Sequence, residues 1–247
     1  METVSVGSQG PGFDRRWMLV DENRCLVSQK QHPRMALIET ALEGSELAIR
    51  IPGEKELRLS SSEEGSTDEG IVWKDTRFVT DQGREAAEVL SRFLGVKCRV
   101  VFMPDASRRQ VNQNYAPSPD DVVGFVDGYP FLLISEASLE DLNQRLAVPI
   151  PMNRFRPNLV ISGCLPYEED TWKWIRIGEI RFKVAKPCAR CIVTTVDQST
   201  GEKGVEPLHT LATYRKQENG IMFGQNLIHT TQGILSIGQT VEVLEKY

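Results

Sequence analysis

Short apolar runs bounded by turn residues recur through the first part of the chain, at 17–21, 35–40, 46–51, 71–73, 77–80 and 98–103. Their length and β-branched content predict strands. The stretch 52–70 interrupts them; rich in Glu and Ser, it reads as a solvated surface loop and not as a metal site. A helical period shows over 82–94, where Ala86, Val89, Leu90, Phe93 and Leu94 fall on one face and Gly95 supplies a stop. The stretch 104–121, dense in Pro, Asn, Asp, Ser and Arg, reads as a connection. Beyond it, strand-like runs follow at 131–135, 158–162, 174–177, 180–186, 191–196, 226–230 and 234–244. The last turns at Gly238, with Leu235, Ile237, Val241 and Val243 on strand faces. A helix is predicted from Ser138, with Asp141 as its capping-box partner and Leu139, Leu142 and Leu146 inward. A shorter one is predicted from Pro207, burying Leu208, Leu211 and Ala212. Many strands, few helices and no βα alternation predict an α+β fold, mainly β and barrel-like. It divides into an N-terminal β-barrel-like domain over 1–103, a connecting segment over 104–121 and a second β-barrel domain with a few short helices over 122–247.

A chain of 247 residues with 40% hydrophobic content can bury a substantial core, and 26% charged residues is ordinary for a globular protein. The formal net charge of -5 gives no electrostatic reason to expect nucleic-acid binding. An odd count of 5 cysteines argues against a secreted disulfide scaffold and fits a reducing compartment. Residues 1–13 lack a basic region followed by an apolar one, and no segment reaches the ~18–20 apolar residues of a membrane span. These features predict a soluble, cytoplasmic protein.

The most informative stretch is 186–197, where Cys188 and Cys191 stand at C-x-x-C spacing and lead into the β-branched run Ile192, Val193, Thr194, Thr195, Val196. Three chemistries use this spacing: a dithiol redox pair, half of a zinc site, and a single thiolate for a soft metal. A redox pair needs a helix N-terminus, which the β-branched run disfavours. Zinc needs a second ligand pair, yet Cys25, Cys98, Cys164, His32, His209 and His229 are scattered. Both cysteines could also be small buried apolar side chains at a strand flank.

Four motifs, in order, resemble the molybdenum-cofactor proteins built on a MOSC domain, most of all the amidoxime-reducing components of mitochondria and their bacterial counterparts. They are Asp14-Arg15-Arg16-Trp17-Met18-Leu19-Val20-Asp21; Phe155-Arg156-Pro157-Asn158-Leu159-Val160-Ile161-Ser162-Gly163-Cys164; Cys188-Ala189-Arg190-Cys191-Ile192-Val193-Thr194-Thr195-Val196-Asp197; and Phe223-Gly224-Gln225. The likeness spans nearly the whole chain. It implies an N-terminal MOSC-associated β-barrel domain followed by a MOSC barrel, with a molybdopterin-type cofactor held between them. Carried residue by residue, it makes Cys191 the thiolate on molybdenum and leaves Cys188 without a ligand role. Arg156 and Asn158 match residues that hold the pterin and its phosphate, and Arg15 matches an arginine of the N-terminal domain. Arg154 and Arg190, inside or beside the motifs, are further candidate anion contacts, since a phosphate suits fork-shaped cationic donors. Asn226 stands where mitochondrial members carry a tyrosine near the cofactor. Cys164 matches a family cysteine that is not a ligand, and Asp197 reads as a turn former, with proton delivery near the metal as the alternative.

Two departures stand out. The family's opening strand carries a Tyr-Pro-x-Lys-Ser-like motif, which 1–13 lacks; the first lysine is Lys30, and the expected barrel is short of its first strand. No C-x₄-C-x₂-C extension precedes Tyr247, so electrons are expected from a separate protein, a flavoprotein reductase or an iron–sulfur or haem protein. The resemblance thus implies a molybdenum-dependent oxidoreductase acting on small N-hydroxylated or N-oxygenated compounds. A cofactor or sulfur carrier with a persulfide on Cys191, or a non-catalytic interaction domain, are the alternatives.

Overall fold

The structure, a computed structural model, describes residues 2–61 and 66–247. It forms two compact units: a smaller one from Arg15–Arg109 and Val196–Gly204, and a larger one from Met1–Asp14, Gln110–Thr195 and Val205–Tyr247.

In the smaller unit a sheet runs in the order Leu26–Val27, Trp17–Val20, Arg99–Phe102, Asp75–Asp81, Thr67–Val72, with every neighbouring pair antiparallel. A second sheet is the meander Glu39–Glu43, Glu46–Arg50, Leu57–Ser60. The helix Arg84–Leu94 lays Ala86, Leu90, Phe93 and Leu94 against Leu19, Ile49, Leu57, Leu59 and Val100. It stops at Gly95, which takes the left-handed conformation at φ 69° and donates its N–H to Ser91 O.

Two expectations fail here for identifiable reasons. The strand expected over 35–40 is replaced by a 3₁₀ turn, Pro33–Leu37, followed by the strand Glu39–Glu43. Pro33 at the start of the turn loses no hydrogen bond and brings its fixed φ. The loop expected over 52–70 contains the strand Leu57–Ser60 and the beginning of Thr67–Val72, while 62–65 lie outside the described residues. Leu57 and Leu59 point inward and Arg58 and Ser60 outward, a period-two pattern that the surrounding charges obscure.

The larger unit is built on a sheet in the order Leu159–Ile161, Phe131–Ser135, Gly220–His229, Ile180–Arg190, Trp172–Ile177, Val241–Lys246, with Lys216–Gln217 paired to the edge of Gly220–His229. Only the pairing of Phe131–Ser135 with Leu159–Ile161 is parallel among these. The strand Thr3–Gly7 pairs with Gly233–Ser236 on one side and Gly10–Pro11 on the other. One face of the large sheet packs Phe131, Ile175, Ile180, Phe182, Val184 and Leu227 into a core. A second cluster of Ile134, Leu142, Phe155, Leu211 and Phe223 lies under the helices Glu136–Arg145 and Leu208–Ala212. The fold is mainly β with few helices, as the pattern predicted.

The helix expected from Ser138 begins earlier, at Glu136. Ser135 is its cap, accepting the Ser138 N–H at 3.0 Å. Ser138 is buried instead, and its hydroxyl donates to Glu169 at 2.7 Å. Glu169 is a carboxylate only 1% exposed, and it also accepts from the Ser135 N–H and hydroxyl, so the charge is met by several donors.

Two consequences can be measured. Gly224 sits at φ 79°, and a Cβ there would lie 2.6 Å from Ile134 Cγ1 and 2.8 Å from Leu133 O. Gly224→Ala should therefore cost about 2–4 kcal/mol in denaturant unfolding, through backbone strain plus overpacking. His229, buried against Phe131 with Nε2 2.7 Å from Gly7 O, has its pKa held below the usual 6.5 by desolvation, against smaller opposing effects of the Gly7 hydrogen bond and Asp121. As pH falls through 6.5 the unfolded chain takes the proton first, so stability is lost from there down to the folded-state value. Thermal melts from about pH 7.5 to about pH 5 should show a steeper fall for the wild type than for His229→Gln, by on the order of 1 kcal/mol.

Candidate functional site

The strand Ile180–Arg190 lies against Gly220–His229, with Lys186 opposite Asn226, Pro187 opposite Gln225 and Ala189 opposite Met222. The register shifts on either side of Pro187, where a residue without an N–H fits an irregular ladder. The strand carries Cys188 and ends at Arg190, leaving Cys191 exposed at the junction with a 3₁₀ turn, Ile192–Thr195. The continuation of 191–196 as a strand is therefore corrected. The threonine hydroxyls stabilise the turn: Thr194 Oγ1 donates to Cys191 O at 3.0 Å and Thr195 Oγ1 to Ile192 O at 2.8 Å. A single short turn also escapes the crowding that β-branched residues meet in longer helices.

The two cysteines consequently stand in different surroundings. Cys188 and Arg190 share a strand face, and Arg190 Nη1 donates to Cys188 Sγ at 3.0 Å. Arg190 Nη2 donates to Phe155 O at 2.7 Å, and its guanidinium carbon lies 5.4 Å from the Phe155 ring centre. Arg190, a candidate anion contact, is thus hydrogen-bonded to Cys188, and its buried Nε has no hydrogen-bond partner.

Phe155 in turn stacks on Phe223 at 4.3 Å. Gly224 follows, close against Leu133 and Ile134, and then Gln225, whose side-chain amide donates to Asp170 at 2.6 Å. Arg215 donates to the same carboxylate at 2.6 Å. Three of the four motifs therefore meet through the Arg190, Phe155 and Phe223 contacts. Tyr167, near this stack, donates its hydroxyl to Asp141 at 2.7 Å; burial, Tyr214 and Asp141 together push its pKa up.

The remaining candidates are placed as follows. Arg154 is buried, and its guanidinium donates to Thr194 O at 3.1 Å, Thr195 O at 3.4 Å and Glu206 O at 3.5 Å. Arg156 is exposed and holds a left-handed backbone at φ 54°. Asn158 uses both ends of its amide internally: Oδ1 accepts the Leu132 N–H at 2.8 Å, and Nδ2 donates to Pro130 O at 2.9 Å and Asp14 at 3.3 Å. Asn226 is half-buried, with Nδ2 3.4 Å from Pro187 O. Arg15, in the smaller unit, is half-buried with φ 50°. Cys164 is a half-buried thiol whose pKa is raised, mainly by desolvation. Asp197 forms a turn, accepting the Ser199 N–H at 2.8 Å. Sequence reasoning missed Glu169, Tyr167 and Asp170; the acidic run Glu168-Glu169-Asp170 looks like surface, and nothing in it marks two members as anchors of buried polar networks. A cavity of about 570 Å³ in the smaller unit, bordered by Asp21, Ser91, Cys98 and Arg99, involves none of the candidate residues.

Among the described residues no group of three or more His, Cys, Asp or Glu side chains could hold a metal ion. A metal at Cys191 would take most of its ligands from outside the polypeptide, which suits a metal carried by an organic cofactor and met by one accessible thiol. The residues present fit such a group: a free exposed cysteine as soft donor and the exposed Arg156 as anion contact.

Comparison with known proteins identifies the family. The description "MOSC domain" matches residues 120–242, and "MOSC N-terminal beta barrel domain" matches residues 1–97. Mitochondrial amidoxime-reducing component 1 of Danio rerio is 36% identical over 92% of this chain and 73% of the fish protein. The Mus musculus protein of that name is 36% identical over 94% of this chain and 72% of its own, and the Homo sapiens one 32% identical over 94% and 73%. These relatives are named as mitochondrial components, which overturns the expectation of a cytoplasmic protein. No helix among the described residues is long and apolar enough to cross a membrane. By domain matches, identity and coverage together, the chain belongs to the MOSC-domain family that includes the mitochondrial amidoxime-reducing components.

Proposed function

We propose that this chain reduces N-hydroxylated compounds at a molybdenum cofactor whose metal is ligated by Cys191. Family membership supports the coarser part of this reading: a molybdenum-cofactor enzyme acting on N-hydroxylated substrates with electrons from a transfer partner. The observation that carries the finer part is the exposed Cys191 at the strand–turn junction, with no metal-binding cluster of protein side chains among the described residues.

Reduction of an N–OH compound to the N–H compound breaks the N–O bond, consumes two electrons and two protons and releases water. The bound cofactor supplies the electron transfer to that bond. The polypeptide contributes donors and a rigid frame. Cys191 would offer a thiolate to the metal, and Arg156 and Arg190, both in the larger unit, would offer guanidinium N–H groups to the anionic part of the cofactor. Asn226 borders the same strand opposite Lys186 and offers an amide. Asn158 shapes the cradle by tying its loop to the strand Phe131–Ser135. The electron donor is a separate flavoprotein reductase or an iron–sulfur or haem protein.

Protein purified from a cofactor-competent host should contain molybdenum and reduce benzamidoxime with an artificial electron donor. Cys191→Ala should lower that activity at least about 100-fold, beyond what loss of a supporting contact to a metal ligand does, whereas Cys188→Ala should keep most of it. Absence of molybdenum above background in the wild type would overturn the proposal. Turnover undiminished in Cys191→Ala would remove the assigned ligand, and an added sulfur on Cys191 without turnover would point to a carrier instead.

A further inference from the structure

We infer that Arg154 is a positioning residue for Cys191, an inference that rests on the reading of Cys191 as the metal ligand. The direction of the Cys191 thiol is set by the backbone on either side of it: the end of the strand Ile180–Arg190 before, and the turn Ile192–Thr195 after. The strand is held by its ladder. The turn is a single 3₁₀ unit with few hydrogen bonds of its own, closed toward Cys191 by the Thr194 N–H at 3.2 Å and the Thr194 hydroxyl at 3.0 Å, both onto Cys191 O.

At its far end the carbonyls of Thr194 and Thr195 have no following helix to bond them. Both residues are buried, so these acceptors need donors from elsewhere in the protein. Arg154 supplies them from one guanidinium: Nε to Thr194 O at 3.1 Å and Nη2 to Thr195 O at 3.4 Å. The same Nη2 lies 3.5 Å from Glu206 O, just ahead of the helix Leu208–Ala212. One planar fork therefore joins the turn behind Cys191 to a second backbone segment. A lysine, a single point of charge on a flexible stem, cannot reproduce that spread of donors.

This role differs from a direct anion contact in a way that needs no cofactor to detect. A residue that only touches the cofactor leaves the cofactor-free Cys191 unchanged when it is replaced. A residue that holds the turn alters Cys191 itself.

The test is alkylation of the cofactor-free full chain by iodoacetamide, resolved by peptide mass spectrometry, with the exposed Cys25 as internal standard. Arg154→Lys and Arg154→Met should both raise the Cys191 rate relative to Cys25 about three- to tenfold, the factor expected from losing about one hydrogen bond of ordering. Circular dichroism confirms folding, and Arg154→Lys keeps the charge should the Met variant fail to fold. In loaded protein both variants should lower kcat with KM little changed. An unchanged Cys191 rate in the folded variants would overturn the inference; if cofactor content fell at the same time, Arg154 would be a direct cofactor contact. Because the alkylation readout involves no metal, it separates failure of this inference from failure of the Cys191 ligand assignment.

Discussion

The site hangs on the antiparallel pairing of two long strands, Ile180–Arg190 and Gly220–His229, at the centre of the larger unit's sheet. Each is flanked on its other side, so neither can slide without breaking further ladders: Gly220–His229 by Phe131–Ser135, and Ile180–Arg190 by Trp172–Ile177. A slip of one residue would also turn the core side chains Phe182, Val184 and Leu227 outward. Gly224 adds a local lock, since its backbone approaches Leu133 and Ile134 more closely than any residue with a Cβ allows. The register is thus fixed by sterics and by burial together. The place where the cysteine strand stops follows from it.

What happens at that stop separates the two cysteines chemically. Cys188 lies in the strand, at the register shift between Pro187 and Ala189, and is an acceptor for the Arg190 guanidinium already tied to Phe155. Cys191 lies one residue past the ladder, exposed, with its carbonyl committed to the turn and its thiol outside the sheet. Equal spacing in the sequence therefore does not mean equal roles. One position belongs to the strand Ile180–Arg190 and the other to its junction with the turn Ile192–Thr195.

Elements with a strong local signature were legible in the sequence, such as the helix Arg84–Leu94 with its apolar face and glycine stop. Those whose local signals conflict were not. Leu57–Ser60 alternates cleanly but is embedded among charges, and the β-branched run at 192–195 favours a strand until threonine hydroxyls close it into a turn. The cap of helix Glu136–Arg145 was misplaced because Ser135 and Ser138 are equally good capping residues, and the buried Glu169 decides between them. Within the site, motif order pointed to Cys191 and to the arginines, and the family is shown independently by the matched domains and relatives. The structural partners of Arg154 and Asn158 were illegible for a plain reason. Nearly all of them are backbone groups, and a backbone carbonyl or N–H leaves no mark on the identity of the residue that carries it.

The central claim is that one cysteine of the pair, Cys191, ligates the metal and the other does not. X-ray absorption at the molybdenum edge of cofactor-loaded protein reads this directly, because thiolate sulfur is a distinct scatterer in the metal's first coordination sphere. Loaded Cys191→Ala should show one sulfur ligand fewer than the wild type, and loaded Cys188→Ala the same sulfur count as the wild type. An unchanged sulfur count in Cys191→Ala, or a sulfur lost in Cys188→Ala, would contradict the account.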